Sequence, residues 1–232
     1  MSNILDNPIA SNLQRVQTRI DTALKEAHRP ANSAQLLAVS KTKPASALQQ
    51  AFNAGQRAFG ENYLQEALEK QQALTDLNIE WHFIGPIQSN KTRPIAENFD
   101  WVHSVEREKI ARRLSEQRPA HLPPINVCLQ VNLDHEATKS GISLAELPAM
   151  LESVAQLPNI CVRGLMAIPA KREGFEAQKT ALEPLSAALD ELRDQYPTLD
   201  TLSMGMSADL EAAISAGATY VRVGTDIFGS RD

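Results

Sequence analysis

The chain has 232 residues, a net charge of −5 and a sequence pI near 5.6. That length suits one large α/β domain, and an acidic balance without clustered Lys and Arg argues against a nucleic-acid binder. No apolar run approaches membrane-spanning length, residues 1–6 lack the basic-then-apolar pattern of a signal peptide, and the two cysteines, Cys128 and Cys161, read as a reduced pair in a cytoplasmic protein.

Ile9, Leu13, Val16, Ile20 and Leu24 recur at helical spacing and predict a helix within residues 1–30, packed on the outside or underside of the main fold. A helix that binds a partner is the alternative. A strand over 35–40 then delivers Lys41 to its C-terminal tip, ahead of Thr42-Lys43-Pro44. Pro44 suits the first turn of a helix over 45–54. Further strands are read at 57–60, 80–84, 101–105, 125–133, 160–167, 199–204 and 220–224, with helices at 63–74, 91–98, 107–117, 144–156, 175–195 and 208–216. Ala54-Gly55 and Ala216-Gly217 mark helix ends, where glycine supplies a left-handed cap.

Repeated βα units imply a parallel sheet. Eight strands with seven interposed helices favour a single closed (β/α)8 barrel spanning 1–232 over an open doubly wound sheet. The run 125–133 alternates: its odd residues are aliphatic and face the helices, while Asn126, Cys128, Gln130 and Asn132 point into the barrel and need partners or a ligand.

Gly85-Pro86-Ile87-Gln88-Ser89-Asn90-Lys91-Thr92 mimics a phosphate-binding loop but fails as one. Asn90 stands where a bare glycine must wrap the phosphate, and Pro86 removes an N–H. A βα loop with Ser89 or Asn90 capping the next helix is expected instead. No pair among the five histidines has metal-ligand spacing. His82 and His103 fall in strands and can face the interior, where a core histidine with satisfied nitrogens is the expected fate of each.

The C-terminal region carries more. Ser203-Met204-Gly205-Met206-Ser207 ends a strand in a glycine turn, with Ser207 as the expected cap of the helix from Ala208. The last strand ends Arg222-Val223-Gly224-Thr225. Glycine turns, helix starts and hydroxyls make an anion cradle, and barrels often hold phosphate after strands seven and eight. Lys41 alone reads as a solvated loop lysine or as an amine for an aldehyde. Beside an anion cradle on the last strand, with Arg222 one step deeper to meet a pyridine nitrogen, it reads as part of a pyridoxal phosphate site. A structural ion pair is the alternative for Arg222.

The runs Leu37-Ala38-Val39-Ser40-Lys41-Thr42-Lys43-Pro44, Phe59-Gly60-Glu61-Asn62-Tyr63, Trp81-His82-Phe83-Ile84-Gly85, Lys139-Ser140-Gly141, Arg163-Gly164-Leu165-Met166, Ser203-Met204-Gly205-Met206-Ser207 and Val221-Arg222-Val223-Gly224-Thr225 resemble the pyridoxal phosphate homeostasis proteins, relatives of the N-terminal barrel of alanine racemase. The resemblance covers nearly the whole chain, in order. It implies a fold-type III cofactor barrel holding pyridoxal 5′-phosphate as a Schiff base on Lys41. By motif it assigns Ser207, Gly224 and Thr225 to the phosphate and Arg222 to the pyridine nitrogen, and it places Asn62, His82, Met166 and Ser203 near the site. It also implies a role in vitamin B6 balance, buffering or delivering the cofactor to apo-enzymes, without catalytic turnover.

Racemisation needs proton exchange on both faces of the bound adduct. Lys41 can serve one; in alanine racemases a second domain and a partner subunit serve the other, and that domain is expected to be absent here. A weak racemase or lyase is the alternative, and a cofactor sensor acting through the N-terminal helix is a third reading. Lys139 is either a transient holder of the aldehyde or a solvated loop lysine. A monomer is expected, and the single basic residue near the end, Arg231, leaves little basis for a basic-tail function.

Overall fold

The computed structural model describes residues 8–134 and 139–230; Arg231 lies outside them. Eight strands, β1 (Gln35–Val39), β2 (Ala58–Glu61), β3 (Glu80–Phe83), β4 (Trp101–Val105), β5 (Ile125–Val131), β6 (Ile160–Ala167), β7 (Thr201–Ser203) and β8 (Tyr220–Val223), each pair in parallel with the next. β8 returns to β1, with Gln35 opposite Tyr220 and Ala38 opposite Val223. No strand edge is left to pair, so the open-sheet alternative falls.

Helices α2 (Ala45–Asn53), α3 (Leu64–Ala73), α4 (Thr92–Asn98), α5 (Glu108–Gln117), α6 (Leu147–Ala155), α7 (Phe175–Leu192) and α8 (Leu210–Ser215) alternate with the strands. Strand alternation divides the apolar residues into two clusters. Leu36, Ala38, Phe59, Val102, Val127 and Leu129 face outward onto the helices. Leu37, Ala58, Trp101, Cys128, Met166 and Tyr220 fill the interior.

β5 follows its expected alternation, Val127, Leu129 and Val131 outside and Cys128 inside. Its polar row is satisfied by protein: Asn126 donates to Asp100 O at 3.3 Å, Gln130 to Ser140 O at 3.3 Å and Asn132 to Lys139 O at 3.1 Å. Where β5 meets β6 the register slips: Val127 opposes Val162 but Cys128 opposes Gly164, so Arg163 is the extra residue of a bulge. Arg163 folds over the Trp101 ring at 5.0 Å and pairs with Asp200 at the N-terminal end of the barrel.

Both glycine caps form. Gly55 and Gly217 take φ +106° and +109°, and the following N–H groups, of Gln56 and Ala218, reach back to Ala51 O and Ala213 O at 3.0 and 2.9 Å. Three local expectations are corrected. Neither Ser89 nor Asn90 caps a helix: both lie in a 3-10 turn (Ser89–Lys91) that leads into α4, and Thr92 Oγ1 donates to Ser89 O at 3.1 Å. Ser207 does not cap α8, which starts at Leu210, because Asp209 Oδ1 accepts from Met206 N–H at 2.7 Å and holds the preceding turn open. Pro44 stands at the N-cap of α2, with ψ 157°, not inside its first turn.

The N-terminal helix α1 (Pro8–Glu26) buries Leu13, Val16, Ile20 and Leu24 across the outside of the β8–β1 seam, against α2, α8 and a short helix after β8, α9 (Thr225–Phe228), that sequence periodicity did not reveal. Cys128 and Cys161 are free thiols, Cys128 buried. Among the described residues no helix is long and apolar enough to cross a membrane.

Candidate functional site

Lys41 is positioned by what holds its neighbours. Beyond the end of β1 the pairing continues, with buried Ser40 donating its N–H to Gly60 O at 3.0 Å. Thr42 then takes φ +65°, a left-handed conformation that costs a β-branched residue energy. Its N–H is caught by Glu66 Oε1 at 2.6 Å. The Lys70 ammonium donates to Ser40 O and to Glu61 Oε1, each at 2.7 Å, and also to Glu66. Ser40 Oγ donates to Glu61 Oε1 at 2.5 Å. A Glu61–Lys70–Glu66 triad, its Glu61–Lys70 pair buried and Glu66 partly exposed, therefore grips the backbone on both sides of Lys41. Burial pushes the Glu61 carboxyl above its ordinary range, against the pull of Lys70. The turn is tied to the loop after α9 by Lys43 Nζ, which donates to Ser230 O at 2.7 Å.

Across the seam stand the two glycine turns. A Cβ on Gly224 would lie 2.9 Å from Val39 O, so a bare backbone is what lets the ends of β8 and β1 approach. Gly224 precedes α9, and Thr225 opens it, where the first N–H groups have no partner within the helix. Ser207 lies in the turn between β7 and α8, entered through Gly205 at φ +92°. Arg19 of α1 joins the two turns: its Nη2 donates to Ser207 O at 2.9 Å, its Nε to Glu211 of α8 at 2.7 Å and its Nη1 to Asp226 of α9 at 2.8 Å. The N-terminal helix thus does more than pack; through Arg19 it bridges the two candidate anion turns.

Arg222 lies beneath them, buried. Its Nη1 donates to Ser203 O and Oγ at 2.6 and 2.8 Å, and its Nη2 to Ala167 O at 2.9 Å, which leaves two of the five guanidinium N–H groups for a ligand. Burial pushes its pKa down to about 10, so it remains charged at neutral pH. The ion-pair alternative for Arg222 falls, since among the described residues no carboxylate lies within 4.0 Å of it. Met166 sits opposite Ser203 in the interior cluster. Asn62, just past β2, is half-buried, and its Oδ1 is buried with no hydrogen-bond donor among the described residues.

His82 is a buried core histidine, the expected fate of a histidine at this strand position. Its ring stacks on Trp101 at 5.5 Å, and both nitrogens are engaged, Nε2 with Glu80 Oε1 at 2.7 Å and Nδ1 with His103 Nε2 at 2.9 Å. It reaches the mouth only through His103 and Ser203. Lys139 Nζ stands 3.8 Å from Asp134 Oδ2; the same carboxylate holds Arg172 and Ala170 N–H of the next loop.

Lys41, Ser207, Gly224, Thr225 and Arg222 are thus gathered at the β7–β8–β1 sector, with Ser203 and Met166 below them. Sequence reasoning missed Arg19, Glu61, Lys70 and Glu80. Glu61 sits inside a family motif, but nothing marks Arg19, whose partners lie 188 to 207 positions away.

Burial holds both His82 and His103 below the ordinary imidazole pKa, so each is neutral in the folded protein. A depressed folded pKa stabilises fully above the unfolded value near 6.5, and the contribution is lost as pH falls through that value toward the folded one. Urea unfolding is expected to show stability falling as pH drops below about 6.5, with a limiting slope on the order of 1.4 kcal/mol per pH unit for a histidine that stays neutral in the folded state. A flat profile from pH 7 to 5 would contradict neutral burial.

Fold and site together define a (β/α)8 barrel with a lysine just past the tip of its first strand and two glycine-containing turns after its last two strands. Residues 11–232 match the family model of the alanine racemase N-terminal domain. The chain is 61% identical to the pyridoxal phosphate homeostasis protein of Pseudomonas aeruginosa, over 97% of this chain and 96% of that one. It is 40% identical to PipY of Synechococcus elongatus PCC7942, solved with PLP bound, with a TM-score of 0.82 over 95% of this chain and all of that one. Alanine racemase of Corynebacterium glutamicum shares the fold, at a TM-score of 0.70 and 17% identity, this chain covering 60% of it. The chain belongs to the pyridoxal phosphate homeostasis protein family, within the alanine racemase N-terminal domain class.

Proposed function

We propose that this protein binds pyridoxal 5′-phosphate and serves intracellular vitamin B6 homeostasis, buffering the cofactor or delivering it to apo-enzymes. The observation that carries this reading is the convergence of Lys41, two glycine turns and a buried arginine with spare donors on one sector of the barrel mouth. The residues fit the group. The orphaned Asn62 Oδ1 and the two uncommitted Arg222 N–H groups are polar atoms that a ligand would satisfy, and the Gly224 approach admits only a bare backbone.

When bound, the cofactor supplies an aldehyde for reversible imine formation, a phosphate anion and a pyridine ring. Lys41 holds the aldehyde carbon, with its backbone fixed by the Glu61–Lys70–Glu66 triad. Ser207, Gly224 and Thr225 take the phosphate. Arg222 donates to the pyridine nitrogen, and an arginine there keeps that nitrogen unprotonated and weakens the ring as an electron sink. Asn62, Met166 and Ser203 shape the pocket, and His82 acts from beneath.

A carrier without sustained turnover is the form of this function we favour, as a single-domain monomer in the cytoplasm. Its mouth is rimmed by exposed apolar side chains, Tyr63, Ile168, Phe175 and Met206, on loops at the C-terminal end of the barrel and on the first turn of α7. Such a rim suits docking against an acceptor protein.

The test is the visible absorption spectrum and intact mass of the purified protein with added pyridoxal 5′-phosphate, before and after borohydride, beside Lys41→Ala. A band that borohydride converts to a covalent adduct on Lys41, absent in the variant, is expected. No band at saturating cofactor would overturn the reading. Steady turnover of an amino acid that Lys41→Ala abolishes would replace the carrier with an enzyme.

A further inference from the structure

Below the mouth, one unbroken line of hydrogen bonds runs down the barrel interior. Arg222 Nη1 lies 2.8 Å from Ser203 Oγ, Ser203 Oγ lies 2.7 Å from His103 Nδ1, His103 Nε2 lies 2.9 Å from His82 Nδ1, and His82 Nε2 lies 2.7 Å from Glu80 Oε1. The residues come from β8, β7, β4 and β3. Ser203, His103 and His82 are inaccessible to solvent, whereas the Glu80 side chain, at the opposite end of the barrel, is 44% exposed. Trp101, Cys128 and Tyr220 wall the line, and Tyr220 OH approaches Glu80 Oε1 at 3.5 Å.

The two ends fix its direction. A guanidinium has no acceptor and a carboxylate has no donor. Arg222 therefore donates to Ser203 Oγ, and Glu80 accepts from the N–H at His82 Nε2. With one hydrogen on each neutral ring, His82 Nδ1 must accept from His103 Nε2, and His103 Nδ1 must accept from the Ser203 hydroxyl. With both rings neutral, no other placement of the hydrogens satisfies all four contacts. Burial favours the neutral form of both rings, and the Arg222 charge disfavours protonated His103 further. Glu80, lowered chiefly by its bond from His82, is ionised.

A buried guanidinium needs a counter-charge. A carboxylate in direct contact would supply one, but it would also consume the N–H groups a ligand needs. We infer that Glu80, His82, His103 and Ser203 are positioning residues for Arg222, a polarised line that carries the influence of a distant carboxylate to the guanidinium while leaving two of its N–H groups for the cofactor's ring nitrogen. This rests on pyridoxal 5′-phosphate being the ligand. Each link aligns the next, so a change at Glu80 reaches the mouth through bonded groups.

Two measurements separate this inference from the assignment of the ligand. In the cofactor-free protein, nitrogen NMR of labelled histidines is expected to show hydrogen at Nε2 on both His82 and His103; hydrogen at Nδ1 on either ring overturns the line whatever the ligand. In protein loaded with cofactor labelled at the ring nitrogen, Glu80→Gln and His103→Leu are expected to move the ring-nitrogen resonance toward that of an unbonded pyridine. Both are expected to weaken cofactor binding about tenfold, the scale at which outer partners act on bound groups. Asp200→Asn removes a half-exposed carboxylate at the same barrel end but outside the line, and is expected to move neither quantity. An equal shift in Asp200→Asn, or an unmoved resonance in Glu80→Gln, sinks the inference. Glu80 is partly exposed, so Glu80→Gln serves even if His103→Leu does not fold. Wild-type protein that takes up no cofactor defeats the ligand assignment while leaving the tautomer result to stand.

Discussion

Lys70→Met is expected to lower the unfolding free energy by about 3–5 kcal/mol, because it strips the cation from a buried carboxylate and leaves the carboxylate in place. Glu61 is inaccessible to solvent, and one of its oxygens already lacks a partner. Without Lys70, the burial that raises the Glu61 pKa is opposed only by the hydrogen bond from Ser40. A carboxyl with a raised folded pKa is least costly when protonated, so the gap between variant and wild type is expected to narrow as pH falls from 8 toward 5. Glu61→Gln in the Lys70→Met background is expected to recover part of the loss. The same substitution releases Ser40 O, beside Lys41, so cofactor attachment should slow in protein that still folds. Urea titrations at several pH values measure the first effect and stopped-flow absorbance the second. A loss below about 1 kcal/mol, the scale of an exposed pair, would show that the Glu61–Lys70 pair is solvated and not buried.

Gly164→Ala is expected to be more damaging still, and for a different reason. A Cβ at Gly164 would lie 1.8 Å from Thr201 O and 2.6 Å from Thr201 C, backbone atoms that no rotamer change can move. To admit one methyl group, β6 and β7 must part at the point where Gly164 opposes Thr201, two residues before Met166 opposes Ser203. Overpacking usually costs about 1–3 kcal/mol, and a backbone collision in a closed barrel belongs above that range. Little soluble protein, or a midpoint in urea far below wild type, is the expected result. Gly60→Ala is the control: its Cβ would meet only the Ile84 and Leu37 side-chain tips, at 3.2 and 3.3 Å, and these can shift. Wild-type stability in Gly164→Ala would mean that β6 and β7 are not paired in this register.

The placement of the site motifs was legible in the chain because it is local. Lys41 at a strand tip, Gly205 and Gly224 in their turns and Arg222 two residues before Gly224 are short-range patterns, and the strand period alone places Arg222 and Gly224 on one side. Errors at helix starts came from competition among near-equal hydrogen-bond acceptors. Asp209 took the Met206 N–H and moved the start of α8 past Ser207, a choice a few tenths of a kcal/mol can decide and spacing cannot reveal.

The sequence by itself determined the alternation of strands and helices, the burial of the strand faces and the placement of a lysine, two glycine turns and an arginine at the strand ends. These follow from periodicity and from backbone rules that act over a few residues. Only the tertiary structure decided what surrounds those groups: the Glu61–Lys70–Glu66 grip on the Lys41 backbone, the Arg19 clamp between two turns, and the line from Glu80 through His82, His103 and Ser203 to Arg222. Each joins residues remote in sequence, brought together when closing the barrel set β8 beside β1 and turned alternate side chains inward. A hydrogen bond specifies its partner within about 3 Å in space and imposes no spacing along the chain, so no pattern in the sequence records it.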